Sequence, residues 1–279
     1  MEVKIAKNAG FCFGVKRAMK MAWQELELSS DGIYALGPLI HNKQAVSRYE
    51  EKGLKTINEL DEVPNENRII IRSHGVGENV YLDSKAKSLD IIDTTCPFVT
   101  KIHDIAKKYH DQGYSIIVIG DAKHPEVIGI NGWCKNEATI IKTLEDLENT
   151  KFDKSKKYCV VAQTTINLDL YHKIEEQLSD LLDEVVFNNT ICAATKVRQE
   201  AAKSLSSEVD LMVVVGGKHS SNTQKLVQIC EENVPTIAIE TVEELNKEDF
   251  KNYNTVGLTA GASTPDWIIE EVIEFIESI

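Results

Sequence analysis

The chain contains no apolar run of roughly 18 residues, the length a membrane-spanning helix needs. Its first residues, MEVKIAKNAG, read as a strand rather than as a basic, apolar and small-residue leader, so a cytoplasmic protein is expected. Positive charge is scarce. Thirty-one Lys and Arg against 44 Asp and Glu leave a formal net charge of −13, which disfavours nucleic acid or an anionic membrane as a partner. An anionic ligand must therefore be held by local donors. No Pro/Gly/Ser-rich linker and no low-complexity tract separates one part of the chain from another. Neither G-x4-G-K-[ST] nor G-x-G-x-x-G occurs, and nucleotide-binding folds lose support with them.

What is present is a repeat. The chain is 279 residues long with 42% hydrophobic content, enough to bury roughly three quarters of its unfolded surface. Cys12, Cys96 and Cys192 each close an apolar stretch and open a helix, with a basic residue following, in IAKNAGFCFGVKRA, IIDTTCPFVTKI and VVFNNTICAATKVR. After each comes an amphipathic segment, then a strand and loop: IYALGPLIHNK, SIIVIGDAKHPE or LMVVVGGKHSSN. The loop glycines Gly37, Gly120 and Gly216 lie 25, 24 and 24 residues beyond their own cysteines, and Leu60, Leu147 and Leu245 keep the same register. A second strand and loop follows as RIIIRSHGVG, YCVVAQTTIN or TVGLTAGAST. Units of roughly ninety residues that alternate helix and strand are too long for a solenoid and indicate three related α/β domains.

The third copy ends in the helix PDWIIEEVIEFIESI and lacks the final strand that leads to the next cysteine in the other two. The N-terminal MEVKIAKNAGFC is such a strand without a preceding domain. The expected organisation is thus residues 13–96, 97–192 and 193–279 plus 1–12, a pseudo-threefold ring in which the N-terminal strand completes the third domain. Ligands of open α/β sheets bind beyond the carboxyl ends of parallel strands, so the cysteines and crest loops are expected to face one central cavity.

Disulfides are disfavoured in the cytoplasm, and an isolated thiol is ordinarily a small buried hydrophobe. Cys134, Cys159 and Cys230 have no counterparts in the other repeats and are assigned to packing. Cys12, Cys96 and Cys192 recur at helix starts, where free N–H groups favour a thiolate. Three thiolates that meet require a cation. Zinc is one option, although no close C-x2-C pair involves these cysteines; an iron–sulfur cluster with one open iron is another, and the C-x3-C-x2-C pattern is absent.

The crest loops are polar. They carry His41, His74, His124, Glu126, Gln163, Thr164, Thr165, Ser220, Ser221, Asn222 and Ser263, a donor-rich set suited to a phosphate or diphosphate. Glu126 is the only carboxylate beside a crest histidine, which makes it the leading proton donor. His103, His110 and His172 lie on predicted helices and are assigned structural roles, and His219 stands beside the HSSN loop.

The segments GFCFGVKRA, His41-Asn42, RSHGV, DTTCP, GDAKHPEV, QTT, NTICAAT with Arg198-Gln199, SSN and GAS-x-PD together resemble the 4-hydroxy-3-methylbut-2-enyl diphosphate reductase family over essentially the whole chain. The resemblance implies a cloverleaf of three α/β domains around a central [4Fe–4S] cluster held by Cys12, Cys96 and Cys192. It further implies that His41, His74, His124, Ser220, Ser221, Asn222 and Ser263 receive the diphosphate. Glu126 and Thr164, with Gln163, would position the substrate hydroxyl and relay a proton. The implied reaction is reductive dehydroxylation to isopentenyl and dimethylallyl diphosphate, the last step of the methylerythritol phosphate route, with reduced ferredoxin or flavodoxin as electron donor. A monomer is expected. The alternatives are a quinolinate-synthase-like cluster dehydratase, a non-enzymatic iron–sulfur redox sensor and a zinc hydrolase.

Overall fold

The computed structural model describes residues 1–29 and 32–279. After strand β1 (Glu2–Ile5) come α1 (Phe13–Leu28), β2 (Ile33–Leu36), α2 (Lys43–Glu51), β3 (Leu54–Ile57), β4 (Arg68–Ile71), α3 (Glu78–Ala86) and β5 (Asp90–Asp93). The next stretch contains α4 (Pro97–Asp111), β6 (Ser115–Ile119), α5 (Pro125–Gly132), β7 (Thr139–Ile141), α6 (Leu144–Asn149), β8 (Tyr158–Ala162), α7 (Leu168–Leu181) and β9 (Val185–Phe187). The last contains α8 (Ala193–Ser206), β10 (Leu211–Val215), α9 (Ser221–Glu231), β11 (Thr236–Ile239), β12 (Thr255–Ala260) and α10 (Asp266–Glu277).

These strands form three four-stranded parallel sheets, an α/β fold in three domains. Read from the cysteine-bearing edge, their orders are β5-β4-β2-β3, β9-β8-β6-β7 and β1-β12-β10-β11. The three orders are equivalent. β1 completes the third sheet by pairing Glu2 through Ile5 with Thr255 through Leu258 of β12, as the missing strand of the third repeat predicts.

Parallel strands covered by helices on both faces read as continuous apolar runs, and SIIVI, YCVVA and LMVVV do. Their side chains alternate between two cores. On β10, Leu211, Val213 and Val215 pack with Phe250 and with Ile268, Val272 and Ile276 of α10. Met212 and Val214 instead join Ala202 and Leu205 of α8 and Leu226 and Cys230 of α9. In the second sheet, Ile117, Ile119, Val160 and Ala162 pack against Tyr171, Ile174 and Leu178 of α7. The alternate residues Ile116, Val118, Cys159 and Val161 face Ile102, Ala106, Val127, Ile130 and Cys134. Cys134, Cys159 and Cys230 are therefore core residues with no solvent exposure, and burial pushes each thiol up to about 12.

The chain divides into two compact units: Met1–Lys16, Ile40–Tyr49 and Ala193–Ile279 in one, Arg17–Leu39 and Glu50–Cys192 in the other. The first contains the third sheet, and the second contains the other two. Sequence periodicity does not anticipate that Ile40–Tyr49, which lies inside the first repeat, belongs with the third sheet. One contact that holds it there is the Arg48 guanidinium, 3.9 Å above the centre of the Trp267 ring. Among the described residues, no helix is long and apolar enough to cross a membrane.

Candidate functional site

Each recurring cysteine sits between the end of an edge strand and the first turn of a helix, and its backbone N–H is committed in the same way. Cys96 donates to Ser73 O at 3.0 Å, Cys192 to Thr164 O at 3.0 Å and Cys12 to Ala262 O at 3.2 Å. In every case the acceptor belongs to the crest loop that follows the neighbouring strand. The cysteine registers of the three sheets are thus tied to the same crest loops that carry His74, Thr164 and Ser263. All three thiols are half-buried at helix starts, in contrast to the three sealed in the cores, and none forms a disulfide. Cys12 Sγ also accepts the Val15 N–H at 3.5 Å, from the first turn of its own helix.

In the larger unit, the start of α5 holds His124 and Glu126. His124 caps it, with Nδ1 accepting the Glu126 N–H at 3.2 Å, and Pro125 occupies the first turn. That bond makes Nδ1 an acceptor, so in the neutral ring the proton is on Nε2. The His74 ring meets the His124 ring edge-on with centroids 5.6 Å apart. Glu126 is only 2% exposed. Its Oε1 accepts the Thr164 N–H at 2.6 Å, and its Oε2 accepts the Thr164 hydroxyl at 2.7 Å. Burial raises its pKa to about 7, against the opposing pull of the two Thr164 hydrogen bonds. The single residue Thr164 thus holds both oxygens of Glu126 and, through its carbonyl, the backbone of Cys192.

Gln163 is 1% exposed, and its amide is used within the protein: Oε1 accepts the Asp121 N–H at 3.0 Å and Nε2 donates to Thr165 Oγ1 at 2.8 Å. It braces the two loops on which His124 and Thr164 stand. The structural histidines are also accounted for. His103, 3% exposed, stacks on Trp133 at 5.5 Å, and burial lowers its pKa to about 4, so it is neutral. His110 pairs with Glu137 and His172 with Glu175, while His219 is exposed. Trp133 carries no role in the sequence pattern. Here its Nε1 donates to Val76 O at 2.9 Å, which ties the end of α5 to the loop of His74.

In the other unit, Ser220 caps α9, its Oγ accepting the Thr223 N–H at 3.4 Å, and Ser221 and Asn222 open the helix. The amino end of a helix is electropositive and supplies N–H donors, which suits a phosphate. Asn222 is 4% exposed. Its Oδ1 accepts the Ala262 N–H at 3.0 Å, and among the described residues its Nδ2 has no hydrogen-bond partner. Ala262 therefore links Asn222 to Cys12 and places Ser263 next in line. The His41 carbonyl approaches Gly217 so closely that a Cβ there would collide with it, so glycine is required at that crest.

The family model described as LytB protein matches residues 3–277. A relative from Clostridioides difficile (strain 630), named 4-hydroxy-3-methylbut-2-enyl diphosphate reductase, is 68% identical over 279 residues, covering 100% of both chains. One from Alkaliphilus oremlandii (strain OhILAs), with the same name, is 49% identical over 282 residues and covers 100% of both. Among solved structures, the E-1-hydroxy-2-methyl-but-2-enyl-4-diphosphate reductase from Plasmodium falciparum has a TM-score of 0.92 at 32% identity, covering 99% of this chain and 87% of its own. With its three equivalent sheets, its recurring cysteines and a family match along nearly its whole length, the chain belongs to the LytB protein family.

Proposed function

We propose that the protein is a 4-hydroxy-3-methylbut-2-enyl diphosphate reductase, acting in the cytoplasm on the last step of the methylerythritol phosphate route. The observation that carries the mechanism is Glu126. A carboxyl group sealed from solvent, oriented by Thr164 and raised to about 7 is a proton donor at working pH. The reaction breaks the allylic C–O bond. The oxygen leaves as water with the proton from Glu126, and two electrons and a second proton at either end of the allyl unit give isopentenyl or dimethylallyl diphosphate. His41, His74, His124, Ser220, Ser221, Asn222 and Ser263 are assigned to the diphosphate. Fixing that end orients a short, flexible chain toward the proton donor.

Cys12, Cys96 and Cys192 are assigned as ligands of a [4Fe–4S] cluster. The donor set fits: three soft thiols, accessible at helix amino ends, each with its backbone held by a crest loop. When bound, such a cluster would relay the donor's two electrons one at a time and offer an electron-accepting metal site. Ferredoxin or flavodoxin is the proposed electron donor, and a monomer with repeats 13–96, 97–192 and 193–279 plus 1–12 is the proposed organisation.

The test is anaerobic oxidation of reduced viologen by the reconstituted protein when 4-hydroxy-3-methylbut-2-enyl diphosphate is added, with products identified. Substrate-dependent oxidation that yields both isoprenoid diphosphates is expected. A loaded cluster that ignores this substrate would refute the proposal.

A further inference from the structure

The residue two before each recurring cysteine differs in what it can bind. Before Cys96 it is Thr94, whose Oγ1 donates to Ile71 O at the end of β4 at 2.6 Å. Before Cys192 it is Thr190, whose Oγ1 donates to Ala162 O at 2.6 Å and accepts the Ala162 N–H at 2.8 Å. A side-chain clamp thus fastens each cysteine loop to the neighbouring strand. Before Cys12 the residue is Gly10, with φ +91°. A Cβ there would lie 3.0 Å from Ile269 Cδ1, 3.2 Å from Asp266 Oδ1 and 3.3 Å from Thr264 O. At that φ a threonine would be strained, and its Cβ would be tight against these neighbours. The third repeat therefore has no threonine clamp at the equivalent position.

Arg198 stands in its place. Its Nη2 donates to the Gly10 carbonyl at 2.6 Å, its Nη1 donates to Ala194 O at 3.0 Å, and the residue is 4% exposed. Gly10 lies two residues before Cys12, and Ala194 lies two residues after Cys192 in the opening turn of α8. A planar guanidinium can span two carbonyls with fixed donors, whereas the point charge of a lysine cannot. An arginine also reaches the approach to Cys96: Arg17 Nη1 donates to Thr95 O at 3.2 Å. There Thr94 already does the work.

We propose that Arg198 is the positioning residue for Cys12, replacing through a contact 188 residues distant in sequence the threonine clamp that the other two cysteines have locally. Arg17 is redundant with Thr94. The inference rests on the assignment of Cys12, Cys96 and Cys192 as cluster ligands, and it makes Cys12 the ligand whose approach is fastened by a side chain remote in sequence.

The experiment compares wild type, Arg198→Met, Arg198→Lys and Arg17→Met. Amide hydrogen exchange is followed on the iron-free chains, and iron loss to a chelator is followed after anaerobic reconstitution. Arg198→Met is expected to speed exchange of the segment around Gly10 and Cys12, and iron loss, by about tenfold, the factor carried by one charge-assisted hydrogen bond closing a local opening. Arg17→Met is expected to leave exchange around Thr95 and Cys96, and iron retention, near wild type. Arg198→Lys retains the charge but not the fork and is expected to resemble Arg198→Met; it also serves if the methionine variant fails to fold. Wild-type exchange and wild-type iron retention in Arg198→Lys overturn the clamp. A wild-type chain that holds no iron overturns the ligand assignment separately, because the exchange comparison still tests the clamp.

Discussion

Replacing Glu126 by glutamine separates a proton donor from a packing residue, because the substitution preserves almost every contact. In Glu126→Gln the amide oxygen can still accept the Thr164 N–H, and the new NH2 can donate to the Thr164 hydroxyl, which then acts as acceptor. The 2.6 Å and 2.7 Å hydrogen bonds both keep a counterpart. What changes is titration. The folded protein holds this carboxyl at about 7 against an ordinary value of 4.5. A raised acid binds its proton more tightly in the folded state, so its stabilising effect is complete below pH 4.5 and is lost as pH rises through about 7. The shift corresponds to roughly 3 kcal/mol. The stability difference between Glu126→Gln and wild type should therefore move by about that amount in favour of the variant between acid pH and about pH 8. Denaturant unfolding of the iron-free chains measures it. The wild-type-minus-variant infrared spectrum should show a protonated carboxyl band that disappears with a midpoint near 7. Turnover should drop by about 10²–10⁴ with substrate binding retained, the usual range for loss of a general acid. A midpoint below 5, or turnover like wild type, would refute the role assigned to burial.

Thr164→Val removes the hydroxyl hydrogen bond but keeps the backbone one. Since that bond lowers the Glu126 pKa, the basic limb of the pH–rate profile should move to higher pH; a shift to lower pH contradicts the assignment. Cys96→Ser should abolish stable iron loading, whereas Cys230→Ser should keep it while losing about 1–3 kcal/mol of stability through a hydroxyl placed in an apolar core. Iron and sulfide analysis beside urea unfolding distinguishes the two, and equal iron loss in both variants contradicts the division of the cysteines. Trp133→Phe leaves Val76 O without its 2.9 Å donor and loosens the His74 loop. A loss of about 1 kcal/mol of stability is expected, together with a rise in KM larger than the fall in kcat. The opposite split would place Trp133 in the chemical step.

Three features were legible in sequence because each is a local pattern. A short, β-branched run such as LMVVV reads as a strand covered on both faces, a cysteine that recurs at a helix start keeps its register, and a repeat short of one strand must borrow it. The structure has each of these: three equivalent parallel sheets, Cys12, Cys96 and Cys192 each directly ahead of a helix, and β1 beside β12. The crest loops were legible as polar sequence at strand ends. Their internal wiring was not. Nothing in QTT shows that Gln163 uses its amide to brace Asp121 and Thr165, and nothing in GFC shows that Arg198 holds the Gly10 carbonyl.

Sequence alone determined the elements, their repeat and the chemical types gathered at the crests, because hydrophobic periodicity and turn chemistry act over a few residues. Tertiary structure alone decided the properties that depend on partners remote along the chain. The fold buries Glu126 and so raises its pKa to about 7, against the pull of two hydrogen bonds from Thr164, 38 residues on. The same is true of the Ile40–Tyr49 segment, which lies inside the first repeat yet joins the unit of the third sheet. Desolvation and long-range hydrogen bonds exist only once distant segments are packed, and no pattern along the chain encodes their geometry.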